Sequence, residues 1–455
     1  MCGIAAFFGL NAPVSTYRLL LELQHRGQES AGIAYVTGND VRAFVRSGYV
    51  LTALNLDELR KLNSKVAIGH VRYSTSGDYM GSEGAQPIKV GEGSKSISVA
   101  FNGNIINYRE LSKTYLGNEL KSDSETLAKL IYELAGDLGD VVEAVKKLSE
   151  VVVGSYSFVV ITAEPRVILG RDPHGFKPLA YAVNDDALIA ASETSAVEAL
   201  GFSGWKELRP GEIISYDGRS VESSSSDVSA AFTPCIFEYI YFSRPDSIFN
   251  GIQVHEARVR MGSYLGRHDK TEVDVVIPVP DSGRSAALGY SIAKGVRFDE
   301  GLFRNRYVGR SFIMPPGIRE FISSVKYGLV KSVIDGRRVA VVDDSLIRGV
   351  TINEINRLLR CGGCSEVHVR IASPPIRYPC FMGTDFPNRR ELIASKISGV
   401  ESIAKAISAD SVMYNTVDGL KWATNLTTPC LACFTGNYPF RDLDVEALEK
   451  VFTRG

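Results

Sequence analysis

Two near-continuous runs of β-branched residues, Val273 to Val279 and Arg338 to Val342, constrain the second half of this 455-residue chain more than any other feature. Neither run alternates apolar with polar positions along its length, so neither suits a sheet with one wet face. Each is followed by a polar turn and a helical pattern, as buried parallel strands require. This half is expected to be a doubly wound α/β unit. The first half differs: Gly3 to Phe8, Gly32 to Val36, Ile97 to Phe101, Val151 to Ile161 and Ala187 to Ala191 are short β-rich runs separated by turn residues and a few helical stretches. They predict packed sheets with helices, an α+β unit.

Between the halves, Val221 to Ala231 is polar and unpatterned, with serine at each position from Ser223 to Ser226. A boundary is expected there, giving units at residues 2–222 and 231–429 and an appended segment at 430–455. With 45% hydrophobic and 23% charged residues the chain can bury cores of this size. The formal charge of -1 supplies no global basic field for nucleic acid or an anionic membrane. No basic leader and no bilayer-spanning apolar run is visible, so a cytoplasmic location is expected. Seven cysteines, an odd number, favour thiol chemistry or metal binding over a disulfide framework.

Cys2 stands between Met1 and Gly3, so removal of Met1 would expose a thiol beside a free α-amine. An α-amine with a reference pKa of about 7.7–8.0 can take the thiol proton near neutral pH, the logic of amino-terminal nucleophiles. Taken alone, a Met-Cys start is as well explained by a small buried residue. Four polar clusters beside apolar strands change that: Gln-His-Arg-Gly-Gln at 24–28, Gly-His-Val-Arg-Tyr-Ser-Thr at 69–75, Phe-Asn-Gly-Asn at 101–104 and Ser-Asp-Ser-Glu at 122–125. In this order and spacing, with the Met-Cys-Gly-Ile start, they resemble the class II glutamine amidotransferases, whose glutaminase domain is an αββα sandwich with an N-terminal nucleophile. Glutamine presents a carboxylate, an ammonium and a carboxamide, which call for a cation, an anion and oxyanion donors. The resemblance implies that Arg72 pairs the carboxylate and Asp123 the ammonium. It further implies that the Asn102 side chain and the Gly103 amide stabilise the oxyanion while Cys2 forms a glutamyl thioester. Arg26 and His70 belong to the same motifs, with a structural hydrogen-bonding role as the alternative.

Residues 339–351 read strand, acidic pair, loop, helix. Ligands of open parallel sheets bind beyond the carboxyl ends of strands, so Asp343 and Asp344 are placed to meet ribose hydroxyls and hold Mg²⁺. The backbone N–H groups that follow, with the Ser345 and Thr351 hydroxyls, can cradle a phosphate. An isolated acidic pair is as often a plain helix cap. The longer stretch resembles the phosphoribosyl pyrophosphate motif of type I phosphoribosyltransferases, which implies a 5′-phosphate site at Ser345, Arg348, Gly349 and Thr351. Residues 277–284 look like that family's pyrophosphate loop, with Asp281 and Ser282 as ligand candidates and Ser282 joining Asp343 and Asp344 around Mg²⁺. Arg284 is left between pyrophosphate and solvent. Residues 304–317 join basic residues to Gly and Pro punctuation and read as a lid carrying Tyr307 and Arg310, or as a solvated loop. In the family this stretch closes over the substrate and excludes water.

Two CxxC pairs, Cys361 with Cys364 and Cys430 with Cys433, suggest by spacing a tetrahedral zinc site. The intervening Gly362-Gly363 also fits a simple turn between a helix and the strand Val367 to Ile371. The contexts of Cys235, Cys380, Cys430 and Cys433 resemble the iron–sulfur subgroup of amidophosphoribosyltransferases, which implies that these four thiolates hold a [4Fe–4S] cluster.

Together the resemblances span most of the chain and imply transfer of ammonia from glutamine to phosphoribosyl pyrophosphate. They also imply purine nucleotide inhibitors and a homo-oligomer. A non-catalytic phosphoribosyl pyrophosphate-binding regulator is the alternative, and it lacks a recognisable DNA-reading element here.

Overall fold

The computed structural model describes residues 1–73, 84–305, 327–384, 386, 388–440 and 443–452. The lid candidates Tyr307 and Arg310 lie outside the described residues. Strand Gly3–Phe8 is apolar and buried throughout because both of its faces are covered. Ala5 and Phe7 pack beneath the helix Ala12–Glu22, while Ile4, Ala6 and Phe8 face a second sheet. Each large apolar side chain withdrawn from water in this way contributes about 1.5–3 kcal/mol.

The first sheet is antiparallel and seven-stranded, in the order Lys206–Glu207, Ala180–Val183, Leu188–Ala191, Gly3–Phe8, Val66–Arg72, Ser30–Thr37 and Asp40–Ser47. The second is antiparallel and six-stranded, in the order Val221–Ser225, Glu212–Tyr216, Arg166–Arg171, Gly154–Thr162, Ile97–Ile105 and Ile88–Val90. Helices Tyr108–Leu116, Asp123–Leu138 and Val141–Val151 cover its outer face. The layers are therefore helix, sheet, sheet, helix, as expected. Two local expectations fail. Val151 ends a helix whose Ala144, Val145 and Leu148 are buried, so the strand begins only at Gly154. Val221–Ser225, which carries no apolar pattern, is an edge strand paired with Glu212–Tyr216. Its residues are mostly exposed, and the backbone ladder is joined by a Ser223 hydrogen bond to Glu212 at 3.2 Å and a Glu222 ion pair with Arg166 at 3.4 Å.

In the second unit, Val275–Pro278, Arg338–Asp343, Glu366–Ile371 and Ser411–Tyr414 form a parallel sheet in that order. Val276, Ala340 and Val342 face one core, with helices Val254–His268, Arg284–Lys294 and Val417–Thr424. Val275, Ile277, Val339 and Val341 face another, with helices Val350–Cys361 and Val400–Ala406. Both faces are covered, which is why these strands read as apolar runs. The carboxyl-terminal segment turns back: Tyr438, Phe440 and Leu448 pack against the core of the first unit. Among the described residues, no helix is long and apolar enough to cross a membrane.

Candidate active sites and the cysteine cluster

Cys2 immediately precedes the central strand Gly3–Phe8, whose neighbour Val66–Arg72 ends at Arg72. The Cys2 main-chain nitrogen donates to Asn102 Oδ1 at 3.1 Å, across to the second sheet. The Cys2 sulfur lies 3.5 Å from both the nitrogen and the oxygen of Tyr73. Asn102 is fully buried, and its Nδ2 has no hydrogen-bond partner among the described residues. A buried amide donor left open costs about 1–3 kcal/mol, so its position asks for a ligand. Asp123 begins the helix Asp123–Leu138, capped by Ser122, and accepts from the Ile105 and Ser124 nitrogens at 3.3 and 2.8 Å. Burial raises its carboxyl to about 6, against those bonds and the charge of nearby Arg72.

Arg26 proves to be a bridge. Its Nε donates to the Cys2 carbonyl at 3.0 Å, while its two other nitrogens reach Glu193 at 2.5 Å and Glu238 at 2.9 Å. Burial disfavours the Arg26 cation, but the two carboxylates more than offset it and hold the guanidinium charged. His25 also meets Glu193, at 2.7 Å. Burial and the Arg72 charge push His70 down to about 3, so it is neutral near pH 7 and a poor general base. Sequence reasoning missed Glu193 and Glu238, which stand 167 and 212 residues from Arg26.

The two candidate phosphoribosyl loops meet at the carboxyl ends of adjacent strands. Asp344 is buried, which raises its carboxyl; hydrogen bonds from Ser282 and Ser345 and the charge of Arg258 act against that. The Ser345 hydroxyl donates to Asp344 at 2.5 Å. Gly349 caps the helix Val350–Cys361 at φ 83°, a left-handed conformation that strains any residue with a Cβ, and the Ile393 side chain would also have to shift from 2.7 Å. Arg348 is held by Glu391, with Nε at 2.7 Å. Thr351 is exposed in the first turn. Asp281 is more than half exposed and faces Arg284 and Arg304 at 3.7 and 3.6 Å.

Four thiols from three distant segments gather between the units. Cys235 and Cys430 form a parallel bridge, and the Arg377 and Tyr378 nitrogens donate to the Cys433 carbonyl. Burial pushes the Cys235 thiol up to about 11 and raises Cys430 and Cys433 as well. Each of the other three thiols adds to the rise at Cys433. Cys361 is exposed at its helix terminus, and Cys364 packs in the core on the opposite face of the parallel sheet from Cys433. The Gly362-Gly363 link is thus a helix-ending turn, and the two CxxC pairs do not converge. Among the described residues, no group of three or more His, Cys, Asp or Glu is placed to hold a single metal ion.

A glutamine amidotransferase domain model matches residues 70–199. The amidophosphoribosyltransferase of Pyrococcus horikoshii is 45% identical, covering 96% of each chain. That of Bacillus subtilis is 41% identical, covering 96% of this chain and 94% of its own length. A solved glutamine phosphoribosylpyrophosphate amidotransferase from B. subtilis, complexed with ADP and GMP, superposes with a TM-score of 0.88 at 39% identity, covering 98% of this chain and 99% of that one. A structure described as the allosteric regulatory enzyme of purine biosynthesis gives 0.89 at 38% identity, with the same coverage. Identity of this order along nearly the whole of both partners shows that the chain belongs to the amidophosphoribosyltransferase family.

Proposed function

We propose that the chain converts glutamine, water and phosphoribosyl pyrophosphate to glutamate, 5-phosphoribosylamine and pyrophosphate, the first committed step of purine synthesis. The observation that carries this reading is the pairing of Cys2 with Asn102. Because Asn102 Oδ1 is occupied by the Cys2 nitrogen, its open Nδ2 is left for the oxyanion. With Met1 removed, the Cys2 α-amine takes the thiol proton and the sulfur attacks the glutamine carboxamide. Asn102 Nδ2 and the Gly103 N–H receive the developing charge, the α-ammonium passes its proton to the leaving nitrogen so that ammonia departs, and water hydrolyses the thioester. Arg72 and Asp123 hold the ends of glutamine. Purified chain given both substrates should release glutamate and pyrophosphate; binding without turnover would favour a non-catalytic phosphoribosyl pyrophosphate-binding regulator.

Removing a donor that acts only on the tetrahedral intermediate should lower glutamine turnover in Asn102→Ala by roughly 10²–10³ with little change in glutamine affinity. Weaker glutamine binding at preserved turnover would show the oxyanion assignment to be wrong. Asp123 yields a pH signature. Its carboxyl, raised by burial to about 6, must be ionised to meet the substrate ammonium. The glutamine KM should therefore rise as pH falls through that value, while ammonia-dependent synthesis does not share the step. A KM that stays flat from about pH 7 to 5 would remove Asp123 from the binding site.

At the second site, Asp343, Asp344 and Ser282 are assigned to the ribose and to the Mg²⁺ that accompanies the substrate. Ser345, Gly349 and Thr351 take the 5′-phosphate. Arg348 joins them, its Nε and one terminal nitrogen already meeting Glu391. Asp281 addresses the pyrophosphate, and Tyr307 and Arg310 belong to the lid. Ammonia attacks the anomeric carbon as pyrophosphate departs.

Cys235, Cys380, Cys430 and Cys433 fit a [4Fe–4S] cluster. A cubane sets its thiolates wider apart than one zinc ion does, because irons and sulfides lie between them, and burial suits a group that neutralises thiolates by coordination. The group would supply cross-linking and oxygen sensitivity, since the overall reaction moves no electrons. Purine nucleotides are the expected inhibitors, in keeping with the ADP and GMP of the B. subtilis complex. A cytoplasmic homo-oligomer is the expected state.

A further inference from the structure

Strands Ile97–Ile105 and Gly154–Thr162 are antiparallel neighbours in which Asn104 stands opposite Ser155. Both side chains are buried and both reach the same short segment of the second unit. Asn104 Nδ2 donates to the Phe381 carbonyl at 2.8 Å, and Ser155 Oγ donates to the Met382 carbonyl at 3.0 Å. Two successive carbonyls are thus gripped by two opposed side chains. The next residue, Gly383, has φ 88°, and a Cβ there would lie 2.9 Å from the Gly103 carbonyl oxygen. Segment 381–383 therefore rests on the backbone of Gly103, which is flanked by Asn102 and Asn104. The segment is itself held from the other end. Met382 donates its N–H to the Cys380 sulfur at 3.4 Å, and Phe381 and Met382 are buried in the core of the first unit.

We propose that Asn104 and Ser155 are positioning residues for the glutaminase step, clamping segment 381–383 so that it fixes the Gly103 amide where the oxyanion forms. The proposal rests on the oxyanion role given above to Asn102 and Gly103. A hydrogen bond to a transition-state oxygen depends steeply on distance and angle, so a small displacement of a strand reduces turnover without touching substrate affinity. Neither Asn104 nor Ser155 needs to meet glutamine. The seam also runs from the Cys380 sulfur through Met382 to Ser155, so the thiol group between the units is mechanically joined to the oxyanion strand.

Ser155→Ala removes one oxygen and Asn104→Ala removes one amide, and both are to be compared with Asn102→Ala in the full-length protein. For each of the two seam variants, glutaminase kcat should fall about tenfold, a part of what a whole oxyanion donor supplies. The glutamine KM should stay within about twofold, and ammonia-dependent synthesis and iron per chain should be unchanged, because the acceptor site and the four thiols are untouched. Ser155→Thr, which keeps the donor, should recover kcat relative to Ser155→Ala. An unchanged kcat in both seam variants, a rise in KM in place of a fall in kcat, or a parallel loss of ammonia-dependent synthesis each overturns the proposal. Should Asn102→Ala itself keep full turnover, the oxyanion reading falls first, and the seam proposal falls with it.

Discussion

Cys2→Ala is expected to abolish synthesis from glutamine and to leave synthesis from free ammonia standing, as read by pyrophosphate release with each nitrogen donor. The described contacts of Cys2 are with Asn102, Tyr73 and Arg26, and none involves the acidic pair at the end of Arg338–Asp343. Deleting the sulfur removes the proposed nucleophile, and losses of several orders of magnitude follow when a covalent mechanism loses its attacking atom. Among the described residues the sulfur makes only the long 3.5 Å contacts to Tyr73, so the fold should hardly register its absence. High ammonia then supplies the acceptor site directly. If a folded Cys2→Ala protein loses both activities, the division of labour between the two units is refuted.

Serine at Cys235, Cys380, Cys430 or Cys433 should cost the protein its iron and both activities at once. The four residues come from the start of the second unit, from the loop after its third strand and from the carboxyl-terminal segment, whose Ala432 and Tyr438 pack on the first unit. A group bound only by the folded arrangement contributes its binding free energy to folding, and closing such long loops is what the bare chain does least readily. Anaerobically prepared protein should be brown with about four irons per chain and should bleach and lose activity together in air. Serine at exposed Cys361 or at Cys364 should leave iron in place. Stoichiometric zinc bound through Cys361 and Cys364 would instead restore the two-CxxC reading.

Local pattern carried most of the architecture. The runs at 3–8 and 339–342 are legible because strands covered on both faces must be apolar at every position, and the structure covers them so. The edge strand Val221–Ser225 escaped the same reasoning, since an exposed strand needs no apolar alternation and serine signals a turn more strongly than a ladder. The candidate site residues were legible where a motif holds them within a few positions, as with Asn102 and Gly103. Glu193, Glu238 and the Asn104–Ser155 clamp were not. Their partners lie hundreds of positions away, and a buried glutamate looks like any surface glutamate until its arginine is found.

The bridge at Arg26 bears on whether either half can be carried elsewhere. Cut between residues 226 and 231, the chain would leave Arg26, His25 and Glu193 on one piece and Glu238 on the other, with Ser243 as its neighbour. Each piece would then expose a charge shaped for a closed seam, and Arg26 would keep only Glu193 of its two carboxylate partners. The glutaminase half is in this sense not a portable ammonia source. Grafting it onto a different acceptor would require transplanting the Glu238 carboxylate with it, at the same depth and facing the same guanidinium.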